Sequence, residues 1–241
     1  MPGSFQAVLA LFALSWMSQG TLACNWEAVR HSTAYIFVDV VDQETGAKSS
    51  IQGTGFVVSR LGYVLTASHV LRDWLKQRKA DKEQNPIRAT LWDRPGFISG
   101  GQLNLQVINP GDPESEDVAL LKLPEPESRQ AYPPAPLCSG EQRVGAKIFA
   151  LGFPLGQSFQ IVEGTLGTQN APGGRWAAAS SFAAGMSGGP VYNSSCNLIG
   201  LVKGGLVNSA AVQWVTPIGH AENFLRIAGV SRECAHNAHG F

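Results

Sequence analysis

Residues 124–136 read PEPESRQAYPPAP, five prolines in thirteen positions. Proline has a fixed φ and no backbone N–H, so this segment cannot lie inside a sheet and reads as an extended connector. The chain has a different texture on either side of it. Upstream, Ala34–Val41 (AYIFVDVV) is rich in aromatic and β-branched residues and reads as a strand. Ile51–Val58, Gly62–Thr66, Ala89–Trp92, Leu103–Ile108 and the short apolar run Val118–Leu123 read as five more. Residues 72–86 (RDWLKQRKADKEQNP) are polar and charged, a solvated loop or short helix. Downstream, six further strands are expected at 144–151, 158–166, 175–179, 190–192, 197–203 and 210–216. Residues 217–229 (PIGHAENFLRIAG) open with proline, carry Ile218, Phe224, Leu225 and Ile227 at near-helical spacing, and stop at Gly229, which predicts a closing helix. The layout is an all-β chain of two six-stranded halves, 24–123 and 137–229, joined by the connector 124–136 and followed by a tail, 230–241.

The first segment stands apart from this pattern. Residues 8–16 (VLALFALSW) are apolar, and the small residues Thr21 and Ala23 suit cleavage after Ala23, so 1–23 reads as a signal peptide. The apolar run is shorter than the ~20 residues a membrane span needs, so no stable membrane insertion is expected once the leader is removed. Four cysteines remain after the cut: Cys24, Cys138, Cys196 and Cys234. In an exported chain this even number predicts two disulfides, with three connectivities open. Charge is balanced at 18 Lys+Arg against 18 Asp+Glu, which argues against a nucleic-acid surface. His236 and His239 lie in the tail without a third ligand nearby, so no metal site is expected.

Three segments carry chemistry. Gly185-Met186-Ser187-Gly188-Gly189-Pro190 places a serine between glycines, which permit a tight exposed turn and close approach of a substrate backbone. A serine hydroxyl needs a base to become nucleophilic, and backbone N–H groups in such a turn can face a developing oxyanion. Leu65-Thr66-Ala67-Ser68-His69-Val70 sets a histidine at the end of an apolar strand. Asp117-Val118-Ala119-Leu120-Leu121-Lys122 opens an apolar run with an acid, and a carboxylate buried there needs a partner such as an imidazole N–H. The other histidines, His31, His220, His236 and His239, have no comparable context.

In the order His69, Asp117, Ser187, these segments resemble the trypsin-like serine proteases: LTASHV matches that family's LTAxH, DVALLK its D-hydrophobic-A-L-L, and GMSGGP its GxSGGP. The stretch GTGFVVSRLGYVLTASHVL, followed by ALGFPLG at 150–156 and LIGL at 198–201, is similar to the protease domain of the bacterial HtrA-like (Do-type) branch. The resemblance covers roughly residues 30–229. It implies two Greek-key β-barrels with the site in the cleft between them, and hydrolysis of peptide bonds through an acyl-enzyme. It also implies a triad of His69, Asp117 and Ser187, an oxyanion hole from the backbone N–H groups of Gly185 and Ser187, and substrate pairing along Lys203, Gly204 and Gly205. The floor of the P1 pocket falls on Ser181, among small uncharged neighbours, which implies a small or medium apolar P1 residue. The same layout suggests the pairings Cys24–Cys138 and Cys196–Cys234.

Two departures limit the likeness. Met186 stands where animal digestive members have an Asp that pairs with a freshly cut N-terminus, and no matching activation sequence is present, so zymogen cleavage of that kind is not expected. The stretch after the closing helix is too short for the peptide-binding PDZ domain usual in HtrA proteins, so a monomer is expected. The resulting expectation is a secreted or periplasmic serine endopeptidase that acts on protein or peptide substrates without cofactor. Its rival is a catalytically silent protein-binding scaffold of the same fold.

Overall fold

The computed structural model describes residues 24–91, 101–126, 131–205 and 212–231. The expected leader, Trp92, Cys234, His236 and His239 lie outside these residues. The first half contains β1 (Thr33–Val41), β2 (Lys48–Val57), β3 (Tyr63–Thr66), β4 (Arg88–Leu91), β5 (Leu103–Asn104), β6 (Gln106–Asn109) and β7 (Ala119–Lys122). They form one sheet in the order β5-β4-β1-β2-β3-β7-β6. Six strands are expected and seven are found, because one strand is bent. Residues 103–109 pair with β4 at one end and with β7 at the other, and Leu105 marks the bend, its N–H donating to Ile87 O at 2.8 Å. The two ends of the sheet thus meet in one continuous stretch, and the half is barrel-like.

The second half is a closed barrel of six strands in the order β10-β13-β12-β11-β8-β9. These are β8 (Lys147–Gly152), β9 (Gln160–Ala171), β10 (Arg175–Ser180), β11 (Pro190–Asn193), β12 (Leu198–Gly205) and β13 (Val212–Pro217). Among the described residues there are four short α-helices: α1 (Trp26–Ser32), α2 (Arg72–Leu75), α3 (Lys79–Gln84) and α4 (Glu222–Ile227). The fold is therefore mostly β, two barrel-like sheets with a short closing helix.

Alternation along the strands explains how the halves hold together. In a strand successive side chains point to opposite faces. Val57, Val64, Ala119 and Leu121 fill the first barrel. Their neighbours Phe56, Leu65, Val118 and Leu120 point outward and pack against Leu151, Tyr192, Leu198 and Leu201 of the second half, with Phe224 and Leu225 of α4. Both faces are buried, so these strands read as unbroken apolar runs rather than as alternating ones. Ala135 of the connector lies in the same inter-barrel cluster, and Tyr132 packs into the first barrel with its hydroxyl donating to Pro124 O at 2.8 Å.

One helix was not expected. Asn25 caps α1 by accepting the N–H of Ala28 at 3.1 Å, and Val29 drops into the inter-barrel cluster. Trp26 packs against Phe149 and Tyr192, ring centroids 5.1 and 6.2 Å away. The disulfide pairing is a second correction. Cys24 is bonded to Cys196, with Cα atoms 5.0 Å apart, not to Cys138. The apolar face of α1 docks its N-terminal end on the second barrel beside the turn after β11, which brings Cys24 to Cys196. Cys138 is disulfide-bonded as well.

Candidate active site

The register of two strands creates the first contact. Strands β3 and β7 are antiparallel with Thr66 opposite Ala119, so the residues just after β3 meet those just before β7. His69 lies in the 3-10 turn Ser68–Leu71 that follows β3, and Asp117 lies two residues ahead of β7. The His69 backbone N–H donates to Asp117 Oδ1 at 2.9 Å, and His69 Nδ1 lies 2.9 Å from Oδ2 and 3.1 Å from Oδ1. The Ser68 hydroxyl donates to Pro110 O at 2.6 Å, tying the histidine turn to the loop that carries the acid.

Asp117 adopts φ +48, a left-handed conformation that Asp tolerates better than most side chains, and its N–H donates to Asp112 O at 2.9 Å. Its carboxylate is 1% exposed while the His69 side chain is 25% exposed, so the acid is sealed and the base is accessible. The carboxylate has a further partner in Lys203 of β12, whose Nζ lies 2.8 Å from Oδ2. Burial pushes the Asp117 carboxyl up, but the hydrogen bond and charge of His69, then those of Lys203, outweigh it and hold the carboxyl below its usual range.

Ser187 sits in the turn that leads into β11. Gly185 and Gly188 on its two sides take φ +91 and +85. A Cβ on Gly188 would lie 2.3 Å from both Thr54 O and Thr66 Oγ1, and one on Gly185 would lie 2.4 Å from Phe153 O. Only glycine fits either position. Within the turn Met186 donates to Ala183 O, Gly188 to Val202 O and Gly189 to Met186 O. The N–H groups of Gly185 and Ser187 have no acceptor among the described residues.

The first barrel clamps this turn. Thr54 in β2, fully buried, donates its N–H to Ser187 O at 2.8 Å and its Oγ1 to Gly185 O at 2.7 Å. Thr66 in β3 donates to Thr54 O at 2.7 Å. Gly53 lies against both Val70, the neighbour of His69, and Ser187: a Cβ there would be 2.7 Å from Val70 Cγ1 and 3.4 Å from Ser187 O. The histidine turn and the serine turn therefore converge on one point of β2.

On the far side, Val202 of β12 exchanges hydrogen bonds with the serine turn, accepting from Gly188 and donating to Gly189. Beyond Val202 the pairing of β12 with β11 has ended, while pairing with β13 runs on to Gly205. Lys203, Gly204 and Gly205 thus offer an open edge next to the serine, and a Cβ on Gly204 would lie 3.8 Å from Ser187 Oγ. Ser181 is exposed, just past the end of β10. Two contributors escape a reading of the sequence. Thr54 lies between Gly53 and Gly55 in β2, a buried hydroxyl that needs partners. Lys203 ends the apolar run LIGLV; it was expected on the edge that pairs with substrate backbone, and its side chain turns in to Asp117, a contact the sequence did not suggest.

The double barrel thus pairs a histidine and an aspartate between two adjacent strands and clamps a serine turn between its halves. The chain belongs to the trypsin-like peptidase family, whose domain matches residues 53–201. It is 28% identical over 174 residues to "Protease Do-like 1, chloroplastic" of Arabidopsis thaliana, covering 68% of this chain and 34% of that protein. It is 27% identical over 198 residues to "Protease Do-like 5, chloroplastic" of the same plant, covering 75% and 58%. The chain thus spans about a third to under three fifths of the length of these relatives. Among solved structures, the active form of the Rv3671c protease of M. tuberculosis superposes with a TM-score of 0.63 at 21% identity, covering 87% of this chain and 86% of that one. That likeness concerns the fold.

Proposed function

We propose that the chain is an exported serine endopeptidase that cleaves protein or peptide substrates through an acyl-enzyme. The observation that carries this reading is the His69–Asp117 pair, a sealed carboxylate gripping an accessible imidazole through its ring and its backbone, next to a glycine-bounded serine turn. Ser187 Oγ attacks the substrate carbonyl while His69 accepts its proton. Asp117 fixes the tautomer of His69 and balances the imidazolium that forms. The N–H groups of Gly185 and Ser187 take up the oxyanion charge. His69 then protonates the leaving amine, and water repeats the sequence in reverse to free Ser187. The substrate backbone adds as a strand along Lys203–Gly205. The uncharged surroundings of Ser181 favour a small or medium apolar P1 side chain.

Export is supported by the apolar segment 8–16 and by the Cys24–Cys196 disulfide, a bond that persists in oxidising compartments such as the periplasm or the medium. Among the described residues no helix is long and apolar enough to cross a membrane.

The test is labelling of the mature protein by a fluorophosphonate probe beside Ser187→Ala. Labelling of the first and not the second is the expected result. A folded protein that labels in neither form, alone or with added activating peptide, is a binding scaffold, and the endopeptidase reading fails. A peptide library cleaved mainly after Lys or Arg would overturn the P1 assignment.

A further inference from the structure

Asp117 Oδ2 receives two donors, His69 Nδ1 at 2.9 Å and Lys203 Nζ at 2.8 Å. The Lys203 side chain is 17% exposed, and its ammonium donates also to Pro113 O at 3.1 Å, within the loop that ends at Asp117. Lys203 is therefore tied to this carboxylate and its loop rather than loosely placed at the surface. We propose that Lys203 is a positioning residue of the triad: it fixes the Asp117 carboxylate and takes up part of its negative charge, so that the carboxylate grips the charged form of His69 less strongly than it would alone.

This inference rests on the triad reading above and deepens it. A carboxylate that serves imidazole alone stabilises the imidazolium with its full charge. A carboxylate that also holds an ammonium stabilises it less, so a more acidic medium is needed to protonate the histidine. The other charged groups around the acid are engaged elsewhere. Glu116 accepts from the Asp112 N–H and from Ser115, Glu114 pairs with Arg72 at 2.7 Å, and His220 Nδ1 lies 3.4 Å from Glu116 O. Among the described residues, only His69 and Lys203 place charged or titrating atoms on the Asp117 carboxylate. The consequence is an enzyme whose activity extends further into acid than that of the same triad without the lysine.

The experiment follows His69 by NMR titration in the oxidised mature chain carrying Ser187→Ala, alone and combined with Lys203→Met or Lys203→Arg. The imidazole signal is assigned by its loss in His69→Gln. In Lys203→Met the titration midpoint should rise by about one pH unit, since an opposite charge within hydrogen-bond reach of a carboxylate acts on this scale. In Lys203→Arg it should stay near that of the parent. In the active background the acid limb of kcat/KM should move by the same amount. A midpoint unmoved in Lys203→Met overturns the proposal, as does a rate lowered equally at every pH, which is the mark of a purely structural contact. Lys203→Gln serves if the Met variant does not fold. The titration needs no turnover, so failure of the wild type to label with fluorophosphonate would sink the protease reading and leave this measurement standing.

Discussion

The Thr54 hydroxyl, in the second strand of the first barrel, donates to the Gly185 carbonyl of the second at 2.7 Å, across 131 residues of sequence. Both groups are buried, and the Thr54 hydroxyl also accepts the N–H of Phe153 at 3.2 Å. The bond fixes the carbonyl of the residue whose N–H is assigned to the oxyanion hole. Thr54→Val keeps the shape and removes the donor. A buried carbonyl left without its partner costs about 1–3 kcal/mol. The expected result is a fall in kcat of roughly tenfold to a hundredfold with KM little changed, because the turn that stabilises the transition state loosens while the substrate edge at 203–205 is untouched. Steady-state kinetics on a peptide substrate, with circular dichroism to verify folding, checks it. A drop confined to KM would contradict the assignment.

Gly188→Ala should be strongly destabilising. The new methyl would stand 2.3 Å from Thr54 O and from Thr66 Oγ1, at a φ of +85 that side chains resist. Neither contact is the loose end of a long side chain, so the serine turn and the first barrel must separate. A loss of about 3 kcal/mol or more is expected. Thermal denaturation beside Ser187→Ala, which removes only a hydroxyl from a partly exposed position, gives the comparison.

The strand pattern and the three motifs were legible because they are local. The run Val118–Leu123 announces a strand buried on both faces, and glycines around Ser187 announce a tight turn. What the sequence hid depends on which distant elements meet. The helix at 26–32 has too short an apolar face to register by periodicity, since Trp26 and Val29 supply most of its buried contacts. The Cys24–Cys196 pairing follows from where that helix docks, and spacing along the chain carries no trace of it. The sequence places Lys203 on the substrate-pairing edge and gives no sign that the fold sets its ammonium on Asp117. The extra strand of the first sheet is a bend at Leu105, which the apolar/polar alternation of LNLQV at 103–107 does not betray.

The depressed Asp117 carboxyl sets a sign for stability against pH. Burial raises it, but His69 and Lys203 more than compensate, so the folded value lies below the unfolded one. The group therefore contributes stability that is present above the ordinary carboxylate range, about pH 4, and lost as pH falls through its lower folded value. Urea denaturation midpoints of the wild type should decline more steeply below about pH 4 than those of Asp117→Asn, which has no proton to take up. The same variant should lose about 10⁴-fold in kcat near neutrality, because the amide favours the wrong imidazole tautomer. Parallel stability curves for the two proteins would show that Asp117 is not the group responsible.

Cutting the Cys24–Cys196 bond should loosen the N-terminal helix before the barrels. The bridge spans 172 positions, and a loop of that length loses much entropy on closure, giving a stabilisation of about 2–5 kcal/mol. Its local effect is to hold Trp26 and Val29 against Phe149, Tyr192 and the inter-barrel cluster. In the double variant Cys24→Ser, Cys196→Ser, hydrogen exchange should quicken first at residues 26–32, and the thermal midpoint should drop. The His69–Asp117 pair depends on the register of the third and seventh strands and not on this helix. Fluorophosphonate labelling per folded molecule should therefore stay close to wild type at temperatures below the lowered midpoint. If labelling is lost while the barrels remain folded, the helix supports the site as well as the fold.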